Sequence, residues 1–263
     1  MGIARSAAKL LFAGTDLFLE SPPGPRILIY HQVGSGLGRQ MEVTVPAFSS
    51  QMEWLAENRQ VVSLESAIER WGEEASSQLV VLTFDDGFLD TYTTAYPRLL
   101  RLDFPFTLYL TTDPIETGLP FGEVPGAEPL RWEQVSEMVG SGLLTVGAHT
   151  HTHPDLRDLT SELARSELDV SDRIIESRLG VKPSHFAYPY GFWAQQADGL
   201  VRERYRSAVV GGNSRPDGAP DRAVIHRYPV QLSDGFVFFK RRLKRGMRLE
   251  EAVRRQIKGY DGP

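Results

Sequence analysis

Apolar runs of strand length alternate with segments of helical period along most of this chain, and that alternation narrows the folds open to it. "RILIYH" (Arg26–His31), "QVVSL", "LVVLTF" (Leu79–Phe84), "PFTLYLT", "LLTVGA", "SHFAYP", "RSAVV" and "AVIHRYPV" read as strands, and the consecutive apolar residues of "LVVLTF" suit a strand covered on both faces. Between them lie helical segments. In "AFSSQMEWLAENR", Phe48, Met52, Leu55 and Ala56 are spaced for one face; "ESAIERW", "TYTTAYPRLLRL", "RWEQVSEMV", "TSELARSELDVSDRIIESRLG" and "AQQADGLVRERY" follow, with "LEEAVRRQI" as a final helix. Strands separated by helices pair in parallel through right-handed crossovers. About seven such units predict an α/β barrel or strongly curved sheet with one mouth, where functional side chains sit at the carboxyl ends of the strands.

A length of 263 residues accommodates this as one domain over 26–263, preceded by an N-terminal extension over 1–25. The extension carries a short amphipathic helix that ends at "SPPGP" and packs on the body. Its apolar run is too short, and too soon interrupted by Asp16 and Glu20, for a signal peptide or membrane span, which points to a cytoplasmic protein. Peripheral membrane contact through Leu10, Leu11, Phe12, Leu17 and Phe18 is the minority reading. A net charge of −5 argues against a nucleic-acid partner. The basic run "KRRLKRGMR" (Lys240–Arg248) reads as the solvated face of a helix. The chain has no cysteine, so disulfides, thiolate metal sites and thiol nucleophiles are excluded. "DPIETGLPFGEVPGAEPL" (Asp113–Leu130) reads as a loop over one strand end, suited to a lid.

Three polar clusters fall at strand ends: "DDG" (Asp85, Asp86, Gly87), "HTHTHP" from His149, and "YPYG" (Tyr188–Gly191). Adjacent buried carboxylates are costly without a cation or hydrogen bonds to compensate them. The plainer alternative is an Asx-turn that merely reverses the chain. Alternation points Asp85 and Asp86 to opposite sides, so one can be a ligand while the other acts on a proton. Three of the six histidines lie at 149, 151 and 153. As a strand, His149 and His153 would stand about 13 Å apart, too far to share an ion. In a turn of helical pitch they share a face with Cβ atoms about 6 Å apart, within reach of one metal at about 2.1 Å. His151 is then directed elsewhere, and Pro154 ends the turn. Asp86, His149 and His153 thus form a three-ligand set with open positions, at which an ion acidifies water and Asp85 takes its proton.

"TFDDG", "HTHTHP" and "FAYPYG", in this order and at these strand ends, resemble the polysaccharide deacetylase family (carbohydrate esterase family 4, the NodB-homology domain), and the "FAYPYG" form resembles its branch acting on exopolysaccharides. "ILIYHQV" and "RYPV" resemble its flanks, so the likeness covers roughly 26–230. The resemblance implies a distorted (β/α)7 barrel that removes acetyl groups from an acetylated carbohydrate with a divalent metal, zinc first, with nickel, cobalt, manganese and iron open to the same donors. By position it makes Asp85 the catalytic base and Asp86, His149 and His153 the ligands. It gives Tyr190, beside Pro189, a backbone N–H in the oxyanion hole. Where relatives carry an arginine that pairs with the catalytic aspartate, this chain has Ala187, so the tuning of Asp85 must come from elsewhere. His226 of "VIH" matches the general acid, with His31 as the competing acid or a partner behind the ligands, as His151 is. His185 reads as a packing residue, and Trp132 and Trp193 as core or sugar-stacking aromatics. A carbohydrate-binding protein that has lost turnover is the alternative reading.

Overall fold

The computed structural model describes residues 24–122, 124–212 and 221–244. Its strands are β1 (Arg26–Tyr30), β2 (Gln32–Val33), β3 (Glu42–Val43), β4 (Gln60–Val61), β5 (Leu79–Phe84), β6 (Phe106–Leu110), β7 (Leu144–Ala148), β8 (His185–Ala187), β9 (Ser207–Gly211) and β10 (Ile225–Pro229). The main helices are α1 (Val45–Asn58), α2 (Leu64–Glu69), α3 (Tyr96–Arg101), α4 (Thr112–Thr117), α5 (Trp132–Gly140), α6 (Ser161–Leu179), α7 (Gln195–Arg204) and α8 (Gly235–Lys244).

Seven strands close a parallel ring in the order β1, β10, β9, β8, β7, β6, β5 and back to β1. This is the distorted (β/α)7 barrel. β4 is an offshoot on the start of β5, and β2 and β3 form a separate parallel pair. Alternation divides the core in two. Ile27, Val81, Tyr109, Ala187, Val209 and Ile225 fill the ring, while Leu28, Leu82, Phe84, Leu108, Phe186, Val210 and Tyr228 face outward under the helices. Ile68 and Trp71, in and after α2, join the inner cluster and plug the ring's amino-terminal end. The catalytic end is therefore the opposite one, where β5, β7 and β8 deliver their polar tails.

Several local expectations are revised. On α1 the buried set is Phe48, Gln51, Met52 and Leu55, with Ala56 exposed; Gln51 is drawn inward because its side-chain carbonyl accepts the buried Tyr30 hydroxyl at 2.9 Å. The segment read as a helix from Thr91 opens with a wide π-type turn over Thr91–Ala95 before α3 begins. The lid segment is not all loop, because it begins within α4 and Phe121 then packs on Phe88 at 4.5 Å. The basic run is not wholly solvated: Arg242 on α8 is buried against the equally buried Asp234 at 2.9 Å. The extension before Gly24 and the helix "LEEAVRRQI" lie outside the described residues. Among the described residues no helix is long and apolar enough to cross a membrane.

Candidate metal centre and active site

Asp85 and Asp86 follow β5, and the turn that holds them is pinned from three sides. The Asp85 N–H donates to Tyr30 O at 3.0 Å, the Thr111 N–H to Asp86 O at 3.0 Å, and the Leu130 N–H to Gly87 O at 2.9 Å. Asp86 takes a left-handed backbone (φ 74°) and Gly87 follows at φ 99°, with Ile115 only 3.0 Å from where a Cβ would stand. The two carboxylates diverge, as alternation requires.

Asp86 faces the histidine loop. Its Oδ1 lies 3.4 Å from His149 Nε2 and 3.5 Å from His153 Nε2, and one ligand atom from each of the three residues lies within 4.8 Å of the others. His149 and Asp86 are buried, and His153 is half-buried. The route to this convergence is not a helical turn. Thr150 and His153 both adopt left-handed backbones (φ 68° and 60°). The Thr150 hydroxyl donates to His149 O and accepts the His153 N–H at 3.1 Å, while the Glu167 carboxylate accepts the N–H groups of His151 (2.9 Å) and Thr152 (2.8 Å). The loop folds back on itself around these anchors. His151 points away as expected and meets Thr112 Oγ1 at 2.9 Å.

These donors fit a divalent cation. Asp86 Oδ1 is buried and makes no well-formed hydrogen bond, the two imidazole nitrogens standing 3.4 and 3.5 Å away, a costly state for an anionic oxygen. His149 Nδ1 sits 2.7 Å from Ala187 O, so the ring donates there and directs the Nε2 lone pair at the shared point. Burial pushes the Asp86 carboxyl up, but His149, His153 and His31 hold it well below the usual carboxylate range. Burial likewise opposes protonation of His149, yet Asp86, Asp85 and the Ala187 carbonyl outweigh it and raise its pKa.

Asp85 points into the ring, where Arg227 of β10 meets it with two hydrogen bonds of 2.6 Å and bonds Thr83 Oγ1 at 2.9 Å. Both partners are buried. Burial raises the Asp85 carboxyl, but the charge and hydrogen bonds of Arg227, with smaller contributions from His149 and His31, leave it below its ordinary value. Ala187 indeed brings no cation to Asp85; Arg227 does so from another strand. Arg227 shares the inward parity of Ile225 on β10, which turns its side chain to Asp85.

That parity also corrects His226. It is level with Val210 of the outward layer and is not among the residues lining the mouth. His31 is. It lies at the end of β1 in a cavity of about 510 Å³ whose wall includes Asp85, Asp86, His149, His153 and Arg227. Tyr190, Gly191 and Phe192 form another part of that wall. Pro189 is buried and opens a tight turn in which Tyr190 is left-handed (φ 59°), its ring 4.7 Å from that of His153. Gly191 (φ 74°) approaches Gly211 so closely that a Cβ would lie 2.6 Å from Gly211 N. Four non-glycine residues here, Asp86, Thr150, His153 and Tyr190, hold left-handed backbones at roughly 1–2 kcal/mol each, so strain is concentrated at the site. Trp132 and Trp193 pack against the core, their indole N–H groups on Glu116 and Asp198, and do not line the cavity. His185 is a buried packing residue at the other end of the ring, bonded to Ser207 Oγ at 2.8 Å.

Comparison with known proteins identifies the family and the fold. The profile of the polysaccharide deacetylase family matches residues 72–206. The chain is 27% identical over 220 residues to the putative polysaccharide deacetylase YxkH of Bacillus subtilis, covering 82% of this chain and 74% of that one. It is 28% identical over 205 residues to the poly-beta-1,6-N-acetyl-D-glucosamine N-deacetylase of Escherichia coli K12, covering 64% of this chain but only 30% of that protein's length. In structure it resembles the deacetylase PplD of Streptococcus pyogenes, with a TM-score of 0.73 at 22% identity over 85% of this chain and all of that one. His31 and Arg227 lie outside the stretch matched by the family profile, which contains Asp85, Asp86, His149, His153 and Tyr190. On the strength of that match the chain belongs to the polysaccharide deacetylase family and is a hydrolase.

Proposed function

We propose that this chain is a divalent-metal-dependent N-deacetylase of an acetylated amino-sugar polymer. One observation carries the reading: Asp86, His149 and His153 converge on a point at the wall of an open cavity, and a second carboxylate, Asp85, stands beside them held in its charged form by Arg227. Asp86 Oδ1, His149 Nε2 and His153 Nε2 would hold the ion, which when bound supplies Lewis acidity toward an acetyl carbonyl and toward water. Zinc suits this two-histidine, one-carboxylate set, as do nickel, cobalt, manganese and iron.

The chain's own residues divide the remaining work. Asp85 accepts the proton of the attacking water, and its bond to Arg227 keeps it ionised and aimed. His31, across the same cavity, donates a proton to the departing amine. The Tyr190 N–H, fixed by the tight turn after Pro189, serves the oxygen on which negative charge develops. The polymer of amino sugars is proposed from the Escherichia coli relative, whose name states that substrate.

The test is acetate release from N-acetylglucosamine oligomers by metal-loaded protein, run beside metal analysis. Turnover should vanish on chelation and in Asp85→Asn, with one metal per chain retained in that variant. Metal binding with oligomer affinity but no acetate would instead make the chain a carbohydrate-binding protein on this fold.

A further inference from the structure

The mechanism leaves one buried carboxylate near the cavity without a task. Glu42, in β3, is buried, yet it sits at the base of the exposed loop "GSGLGRQM" over 34–41. That loop turns back around the carboxylate: the Gly36 N–H donates to Glu42 Oε1 at 2.6 Å and the Gly38 N–H to Oε2 at 2.7 Å. Successive backbone N–H groups curved around an anion form a nest, here filled by the chain's own side chain. Gly34, Gly36 and Gly38 are all left-handed (φ 79°, 74° and 66°), conformations that glycine adopts without steric cost. The same glycines make the loop expensive to order, so something must hold it. The charged hydrogen bonds of Glu42 are the anchor at its centre, and the bonds from the Gly34 N–H to Val43 O (2.8 Å) and the Leu232 N–H to Gln40 O (3.0 Å) tie its ends.

What the loop presents is Arg39, Gln40 and Met41, three consecutive residues in the wall of the cavity that also contains the candidate metal ligands and Tyr190. A guanidinium, a carboxamide and a thioether offer donors and a soft apolar edge to a hydroxylated ring. We propose that Glu42 is a positioning residue for substrate selection. By filling the Gly36–Gly38 nest it holds the Arg39–Met41 wall ready for the sugar units flanking the one being deacetylated, and so favours oligomers over small acetyl compounds. This rests on the proposed deacetylase reading. Holding the wall in its binding form before substrate arrives removes an ordering cost from binding and leaves the chemical step alone.

The experiment compares full-length, metal-loaded wild type with Glu42→Gln on an N-acetylglucosamine tetramer and on a small aryl acetate, beside amide hydrogen exchange over 34–41. Glu42→Gln should exchange faster at Gly36 and Gly38 and raise KM for the tetramer about tenfold, equivalent to about 1.4 kcal/mol, with kcat held within about twofold and a much smaller change on the aryl acetate. Gly38→Ala, which meets no atom within 4 Å but strains φ at 66°, disturbs the loop while leaving the Glu42 side chain itself unaltered and should share the KM rise if Glu42→Gln fails to fold. Unchanged exchange, an unchanged tetramer KM, or equal losses on both substrates would overturn the proposal. A wild type that releases no acetate from the tetramer sinks the deacetylase reading instead. Glu42 is then judged by loop exchange and by calorimetric affinity for a glucosamine tetramer, and unaltered values in Glu42→Gln reject it.

Discussion

Arg227 on the last strand of the ring grips Asp85, 142 residues earlier in the chain, through two parallel hydrogen bonds of 2.6 Å, both side chains buried. Breaking one side of such a pair strands a charge, whereas removing both does not. Arg227→Met should therefore cost about 3–5 kcal/mol in denaturant unfolding and lower kcat/KM by about 10²–10⁴. Arg227→Met combined with Asp85→Asn should recover most of the stability and none of the activity. Additive losses in that cycle would show that the two side chains do not act as a pair.

Strand parity favours His31 over His226 as the proposed general acid. His31 lines the cavity, while His226 is on the outward face of β10. His31→Gln should reduce kcat by about 10²–10⁴. His226→Gln should leave kcat close to that of wild type. The reverse pattern would return the acid to His226.

Gly191 is required on two counts, its left-handed φ of 74° and its contact with the Gly211 backbone. Gly191→Ala must move one of two backbones, and a loss of about 1–3 kcal/mol is expected. Because the shift falls beside Tyr190, kcat should fall more than metal affinity. Equal metal content and unaltered kcat in a folded Gly191→Ala protein would detach this turn from the chemistry.

Asp90 provides a pH signature. Burial lifts its carboxyl from 3.8 to about 7, the Val33 backbone hydrogen bond opposing and Glu42 adding to the rise. The folded state keeps this proton where the unfolded chain releases it. The stabilisation is complete below pH 3.8 and is lost as pH climbs to about 7, by roughly 4 kcal/mol in all. Unfolding free energies of Asp90→Asn should lack that decline between pH 4 and 7 when set against wild type. Parallel curves would mean that Asp90 titrates normally.

Strand-length apolar runs were enough to anticipate parallel strands around one mouth, because alternation and parallel pairing are local, while the closed (β/α)7 form came from the resemblance carried by "TFDDG", "HTHTHP" and "FAYPYG". Arg227 was not legible as the partner of Asp85, since its role depends on which strand seals the ring and on a parity that is fixed only by register. The histidine loop was expected to wind as a helical turn. It is shaped instead by left-handed Thr150 and by Glu167 on α6, a contact no local pattern announces. Glu42 escaped notice because a glutamate in a two-residue strand looks like surface until the glycines around it are seen to curl inward.

Since β1 is zipped to β5 on one side and to β10 on the other, the seam can be sewn only by the final strand, which also carries the guanidinium that Asp85 needs. A chain halted before Ile225 would leave β1 with a bare edge and Asp85 without its counter-charge. Closure of the scaffold and readiness of the proposed proton acceptor are thereby one event.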